Sequence, residues 1–522
     1  MLVGGLAMAA LCLPAGSAVA APGDLDPSFG IGGRSVVVLG GSTFATGLLL
    51  QPDGKVIVTG SSTANSPDRN LFAARVLVPQ GTLDPSFGGG LGFSSVNLGG
   101  DDQGTGVLAP DGKIVLAGGL DSVEDDYGVA RLNSQGPLDG SFGIGGIRTG
   151  LRTASDGASA LALQPDGRIL IAGFQSGPPP ADDWLIGRLL NPQGTPDGSF
   201  GTGGFVTKNL GGTADAASDV LVEPDGKVLV AGASRNEGAG FDFGAVARYL
   251  PNGNPDDGFG NVGDVRNLGD AMFTLARQPD GKIVVGGFDS NLTVFRLNPN
   301  GSRDETFGGD GSTGTADFRS ASDILVQPDG KIVALGSIGT SIGVVRFQPN
   351  GLLDTTFGNN GKTTIDLGGQ TGTAASAGLV QQPDGRIIVA GDLLGNILLA
   401  RLEGDPPGNV AEKCRGKEAT ILGTTAKDKL KGTKKKDVIS AGGGRDTVKG
   451  LAGNDLVCGG KGPDKLIGGP GKDTLLGEKG KDKLFGGPKK DKLLGGAAKD
   501  LIVGGGGPDK INGGPGKDIE KQ

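Results

Sequence analysis

The sequence contains no histidine. That absence removes imidazole acid–base chemistry, serine–histidine nucleophile pairs and the commonest zinc ligand sets. Carboxylates and lysines remain, so catalysis stays open while its most frequent routes are closed. Aromatic residues make up only 4% of the chain, which argues against a sugar cleft lined with rings. Cysteine is scarce: Cys12, Cys414 and Cys458 are the three. Beyond the N-terminus there is no apolar run long enough to span a bilayer.

The N-terminus reads LVGGLAMAALCLPAG, then SAVA before APGD. A short apolar run ending in small residues, Ala18 and Ala20, is a secretory cleavage pattern, although the basic n-region is missing. Leu11 before Cys12 speaks against a lipoprotein box. The expectation is a signal peptide over residues 1–20 and a secreted, extracellular or cell-surface protein. Cleavage leaves Cys414 and Cys458, and an even count in an exported chain suggests one disulfide; two free thiols are the alternative.

Glycine is abundant, 104 of 522 residues. Collagen needs a strict period of three and more proline. Glycine with scattered valine, leucine and isoleucine points instead to many short strands joined by tight turns.

Two repeats organise those strands. The long one opens with LDPSFG or a variant, placing aspartates at Asp26, Asp84, Asp139, Asp197, Asp256, Asp304 and Asp354. QPDGK or a near variant follows, with Asp53, Asp111, Asp166, Asp225, Asp280, Asp329 and Asp384. An arginine in an apolar strand ends each unit: Arg75, Arg131, Arg188, Arg248, Arg296, Arg346 and Arg401. Four apolar runs per unit, RSVVVL, ATGLLLQ, KVIVTG and LFAARVL in the first, match one propeller blade. PDGK is turn chemistry and predicts a tight hairpin between the second and third runs. The N-terminal unit can complete the last blade and close the ring. These motifs, in fixed order over 24–404, resemble the delta-60 repeats, a bacterial β-propeller family of unknown function. The resemblance implies an all-β, seven-bladed propeller; an open β-solenoid is the alternative.

The short repeat fills Gly423 to Lys521 with eleven nonapeptides. Aspartate holds the sixth place each time: Asp428, Asp437, Asp446, Asp455, Asp464, Asp473, Asp482, Asp491, Asp500, Asp509 and Asp518. The eighth place is apolar from Leu430 to Ile511 and becomes Glu520 in the last copy. This GGxGxDxUx pattern is that of a parallel β-roll. It resembles the hemolysin-type (RTX) calcium-binding repeats, in which an ion sits between one turn and the turn two repeats later. The resemblance implies Ca²⁺ held by aspartate carboxylates and backbone carbonyls, in at most nine gaps. Glycine is lost at the fourth position at Ala426, Lys435, Lys489 and Ala498, and those turns are expected to bind poorly. The expected metal residues are Asp446, Asp455, Asp464, Asp473, Asp482, Asp509 and Asp518, with Gly444, Gly453, Gly462, Gly471 and Gly480. The domain plan is a signal peptide (1–20), a propeller (24–404), a linker (405–420) and a β-roll (421–522).

Charge complicates the calcium reading. From Lys413 to the end there are 24 Lys and Arg against 14 Asp and Glu; the rest of the chain has 25 against 43. Nearby lysines weaken cation binding. The competing reading is a metal-free roll in which aspartates cap turns and pair with lysines. GGPGKD is no phosphate-binding loop, since the next residue after GK is aspartate and the period is nine. Lysines interleaved with aspartates in an exported chain argue against nucleic acid.

The repeated propeller motifs read as architecture: aspartates bonding turn amides, phenylalanines wedged between blades, arginines pairing with aspartates. The candidate binding face is the loops SSTANSPDRN, GLDSVEDDY, FQSGPPPADDW and ASRNEGAGFDF, with Tyr127, Trp184, Glu124, Asp125, Asp126, Asp182 and Asp183; the alternative is a structural role, since similar acids begin the fourth run in several units. The leading expectation is a secreted, monomeric, non-enzymatic binding platform with a Ca²⁺-dependent roll. Its partner would be an unidentified extracellular ligand, with an anionic cell-wall polymer as a candidate for the basic roll. Two alternatives stay open: a carboxylate-based hydrolase or lyase acting on an extracellular polymer, and a purely structural surface protein.

Overall fold

Each QPDGK segment closes a hairpin. In the first, the Gln51 N–H donates to the Lys55 carbonyl at 2.9 Å, Asp53 Oδ1 accepts the Lys55 N–H at 3.2 Å, and Gly54 takes a positive φ of 85°. Only glycine adopts that conformation without strain. The structure is a computed structural model that describes residues 20–521 except 65, 101, 120–126, 152–155, 177–181, 237–240, 367–375, 406–412 and 424–426.

From each hairpin a four-stranded antiparallel meander grows outward. In the first blade the strands are Thr43–Leu50, Val56–Ser62, Asn70–Leu77 and Phe93–Val96. The described residues form seven such sheets, two of them joined by a single parallel bridge between Asp182 and Ala214. The seventh contains Ser376–Gln381, Ile387–Leu393 and Asn396–Leu402, and its outer strand is Arg34–Val37 from the N-terminus. The innermost strand of blade one lies against those of blades two and seven, so the ring closes without an open edge.

The blade frame differs from the sequence frame by one strand. RSVVVL is the outer strand of one blade, not the first strand of the next. LDxxFG therefore joins strands three and four within a blade instead of linking blades. Repeats on a circle have no intrinsic starting point, so spacing alone cannot place the boundary.

Seven hydrophobic clusters fill the seven junctions between blades; Phe72, Ile388 and Leu399, for example, pack between blades seven and one. A polar cluster repeats beside them. The strand-three arginine meets the LDxxFG aspartate at 2.6–2.9 Å in every blade. The Lys or Arg of the PDGK turn approaches the same carboxylate at 2.8–3.3 Å. Each arginine also lies over the motif phenylalanine, 4.5–5.4 Å from the ring centroid. It then reaches onward: Arg188 and Arg248 donate to the carbonyls of Pro251 and Pro299 in the following blade, each at 2.5 Å. Burial by itself would raise the Asp84 carboxyl, but Ser86 and Arg75 outweigh it and hold the group at about 2.

The C-terminal repeats coil as two parallel sheets. One stacks Ile421–Leu422, Val438–Ser440, Leu456–Lys461, Thr474–Lys479, Lys492–Ala497 and Lys510–Asn512. The other stacks Lys429–Lys431, Thr447–Lys449, Lys465–Ile467, Lys483–Pro488, Leu501–Gly506 and Ile519–Lys521. Partners in register are 18 residues apart, two nonapeptides per coil. Side chains alternate along a strand, so the eighth positions face inward and form one apolar column, from Leu430 through Val448, Leu466 and Leu484 to Ile511. Glu520, at that place in the last copy, accepts the Gly513 N–H at 2.6 Å. In inner coils the equivalent N–H, that of Gly468 for example, goes to a carbonyl of the next coil.

The expected linker over 405–420 is shorter than the sequence suggested. Lys413–Cys414 and Lys417–Glu418 form a small hairpin, and Cys414 is bonded to Cys458. Cys414 and Ala419 pack on Val438, Leu456 and Cys458, covering part of the first sheet's outer face.

Replacing Asp304 by alanine leaves the buried Arg296 without a carboxylate. The expected cost is about 3–5 kcal/mol, read as a lower urea midpoint for the propeller. Asp53→Ala removes an exposed pair with Lys55 and an exposed turn hydrogen bond from the Lys55 N–H and should cost less, about 1 kcal/mol.

Candidate metal centre

The turn aspartates of the roll are buried, and the lysines beside them are not. Asp464, Asp473, Asp482, Asp491 and Asp500 are each 1–2% exposed, while Lys465, Lys472, Lys481, Lys483, Lys490 and Lys492 are exposed. Among the described residues, Asp446 through Asp500 make no ion pair with their lysine neighbours. The reading of aspartates paired with lysines is therefore not what the geometry shows.

Their half-role as caps is real. The backbone N–H of each position-six aspartate donates to Oδ1 of the aspartate 18 residues later, at 2.8–2.9 Å, from Asp428→Asp446 to Asp500→Asp518. The second oxygen is different. Oδ2 of Asp446, Asp455, Asp464, Asp473, Asp482, Asp491 and Asp500 is buried with no hydrogen-bond partner. A buried carboxylate oxygen left without a donor or cation is costly.

Backbone carbonyls converge on the same places. A Cβ built on Gly450 would lie 2.6 Å from Asp455 Oδ2 and 2.8 Å from the Gly468 carbonyl oxygen. At Gly459 the corresponding oxygens belong to Asp464 and Gly477, at 2.8 and 3.0 Å. At Gly468 they belong to Asp473 and Gly486, at 2.5 and 2.7 Å. Among the described residues no three carboxylates or thiolates gather at one point, so a cation here must draw on these carbonyls as well. An all-oxygen set mixing carboxylates with carbonyls is the donor chemistry of a hard cation such as Ca²⁺. The residues present fit the ion.

The structure places the predicted residues unevenly. Asp446, Asp455, Asp464, Asp473 and Asp482 line the two turn columns, with Gly453, Gly462, Gly471 and Gly480 packed tightly in the same turns and Gly444 at a positive φ of 105°. Gly471 shows why: a Cβ there would overlap the Gly453 carbonyl. Asp509 and Asp518 stand at the end of the ladder and accept the amides of Asp491 and Asp500. Asp437 is capped locally by the Thr433 N–H at 2.7 Å and by its hydroxyl. Two residues were missed. Asp491 and Asp500 have the same unpartnered oxygen, although Lys489 and Ala498 replace the fourth-position glycine. Both substitutes adopt positive φ, 90° and 94°, so the turn keeps its shape. The strict recurrence of Asp at position six was the signal that would have retained them. Ala426 lies outside the described residues.

Burial pushes the carboxyls of Asp464, Asp473 and Asp482 up to about 7; the amide each accepts opposes this, and the aspartate 18 residues earlier adds to the rise. Asp446, Asp455, Asp491 and Asp500 are raised for the same first reason.

The propeller's expected binding face is altered. Tyr127 and Trp184 are buried in the core, and Trp184 Nε1 donates to the Ala233 carbonyl at 3.2 Å. Asp182 and Asp183 are half-buried at a strand start, Asp183 accepting from Asn209 at 2.7 Å. Glu124, Asp125 and Asp126 lie outside the described residues. Asp219 and Asp323, on the inner strands of blades four and six, are raised by burial to about 7 and about 6. Both oxygens of each are engaged. Oδ2 of Asp219 accepts the Leu275 N–H at 2.6 Å and Oδ2 of Asp323 the Leu379 N–H at 2.8 Å, each from the next blade, while Oδ1 accepts from the chain's own next amide. They tie blades together.

The family described as "Domain of unknown function (DUF5122) beta-propeller" matches residues 51–87, 109–142, 223–259, 278–307, 327–357 and 382–405. The RTX calcium-binding nonapeptide repeat matches 422–457, 459–493 and 494–519. The chain carries DUF5122 β-propeller repeats, followed by RTX calcium-binding repeats. The DUF5122 matches skip 143–222, where blade three nevertheless keeps Arg188 against Asp197. No curated protein matches the sequence. Among solved structures, a catalytically inactive virginiamycin B lyase from Staphylococcus aureus with quinupristin is 12% identical, covers 71% of this chain and 99% of its own, and has a TM-score of 0.42. A streptogramin B lyase is 14% identical over 71% and 97%, TM-score 0.42, and the WD40 propeller domain of Doa1 is 11% identical over 70% and 96%, TM-score 0.40. Among the described residues no helix is long and apolar enough to cross a membrane.

The raised carboxyls fix a pH dependence. Below about pH 4 these roll carboxyls are protonated in the folded and unfolded chains alike. Between there and about 7 the unfolded chain releases protons that the folded RTX roll retains, so stability in chelator falls as pH rises. The expected urea midpoint in chelator is higher at pH 5 than at pH 8. Millimolar Ca²⁺, which needs the ionised carboxylates, should reverse that order. Ala498→Gly relieves a left-handed alanine and should stabilise the roll by up to about 1 kcal/mol, whereas Gly471→Ala should destabilise it; chemical denaturation of the two variants checks both.

Proposed function

We propose that this is a secreted calcium-binding protein whose propeller is a non-enzymatic interaction platform and whose RTX roll is ordered by Ca²⁺. The observation that carries the reading is the run of seven buried, unpartnered Oδ2 atoms from Asp446 to Asp500, those from Asp455 onward each beside a backbone carbonyl. Bound Ca²⁺ would neutralise these carboxylates and bridge successive coils. The chain's own residues do the rest. The Oδ1 ladder fixes each carboxylate in place, the apolar column excludes water, and the glycines let coils approach closely enough to share an ion. Because ions are shared between coils, binding and folding are coupled. The N-terminal cleavage pattern supports export, which would deliver the roll to calcium-rich surroundings after translocation. The non-enzymatic reading of the propeller rests on the absence of histidine and on Asp219 and Asp323 both being fully engaged by amides.

Calorimetric titration of the full-length mature chain tests it. Several ions per chain are expected, with strand signal in circular dichroism growing as they bind. Asp464 and Asp482 flank three successive gaps between them, so the double alanine variant should lose up to three ions. No binding at millimolar Ca²⁺, or an unchanged stoichiometry in the variant, would refute the assignment.

A further inference from the structure

The two outer faces of the roll differ in a way that calcium binding does not require. On the first sheet, Val438, Leu456 and Cys458 are buried under the disulfide-tied hairpin. Among the described residues the second sheet carries no such cover over its central strands, whose seventh positions are exposed. Its outward rows, in register, read Lys429, Thr447, Lys465, Lys483, Leu501, Ile519 and Lys431, Lys449, Ile467, Phe485, Val503, Lys521. With the fifth positions that precede them, these six repeats present eleven Lys or Arg and no Asp or Glu. The same positions of the five intervening repeats present five. The position-six aspartates do not offset this charge outward, because they are buried.

We propose that this second face binds an extended polyanion bearing phosphate groups, lying along the roll axis. Stacked strands repeat at about 4.8 Å, so the rows form a ladder of cations parallel to the axis. Lysine ammoniums are compact, strongly hydrated point charges suited to closely spaced phosphates. Ile467, Phe485 and Val503 are half-buried between the lysines, and Lys465 Nζ lies 5.5 Å from the Phe485 ring centroid. Apolar groups set flush among cations suit the aliphatic linkers of a polymer; of this face's apolar residues only Ile519, on the last strand, is exposed, at 43%. The proposal rests on the reading of the roll as a calcium-organised scaffold only in needing the coils to be folded.

The test uses the full mature chain in millimolar Ca²⁺ with fluorescently labelled long-chain inorganic polyphosphate, followed by anisotropy at several salt concentrations. Counterion release predicts affinity falling steeply with salt. Replacing Lys429, Lys431, Lys449, Lys465 and Lys483 with glutamine should weaken binding tenfold or more and flatten the salt dependence. Replacing the five first-sheet lysines, Lys436, Lys472, Lys490, Lys492 and Lys510, makes the same charge change and should cost less than threefold. Equal losses in the two variants would overturn the proposal, since net charge alone would then explain binding. So would capture by phosphatidylglycerol vesicles without affinity for polyphosphate. Lysine acetylation read by mass spectrometry on the wild-type chain gives a second readout: polyphosphate should protect second-sheet lysines selectively, and uniform protection counts against the face. A chelator arm separates the two readings. If strand signal and polyphosphate binding both persist without calcium, the calcium dependence fails while this face stands.

Discussion

A carboxylate taken out of water must find a positive charge, a set of donors or a proton. This chain buries two families of aspartates and settles them in opposite ways. In the propeller, every LDxxFG aspartate meets an arginine from its own blade and a lysine or arginine from the hairpin turn. In six blades, all but that of Arg401, the same arginine then grips the neighbouring blade. Neutralisation is internal, and it doubles as the bond that holds the ring. In the roll, the lysines are numerous but stand outside, and one oxygen of each central aspartate faces other oxygens. Neutralisation there has to come from solution, as protons or as metal.

That contrast accounts for the different characters of the two parts. A propeller whose motif charges are satisfied within the chain needs no outside ion to neutralise them. A roll with a file of unsatisfied carboxylates is conditional on its surroundings. The lysines that made the calcium pattern look doubtful are compatible with it because alternation along a strand and burial of the turn separate the two charges in space.

Much of this was legible in the sequence. A period of nine with an invariant aspartate defines the coil, and seven PDG turns define the blades. The pairing of Arg75 with Asp84, and its six counterparts, follows from their equal recurrence. What escaped has physical reasons. Tyr127 and Trp184 were assigned to loops because they adjoin them, but each stands within the first residues of a strand and turns into the core. Asp491 and Asp500 were set aside because glycine was missing at the fourth place; Lys489 and Ala498 accept the left-handed conformation since the coils on either side hold it. The hairpin at 413–418 has strands of two residues, too short for any periodicity, and is held by a disulfide instead of by pattern.

The coil contains two nonapeptides, so consecutive repeats do not occupy equivalent places. One always belongs to the hairpin-covered sheet, the next to the cationic one. Gain or loss of a single nonapeptide would shift everything beyond it to the opposite side, sending lysine rows under the cover and apolar residues into the open. Length variation in this roll is therefore quantised. Relatives that preserve its two faces should differ by multiples of eighteen residues, and an odd number of repeats inserted after Cys458 would leave the disulfide intact while inverting the surface beyond it.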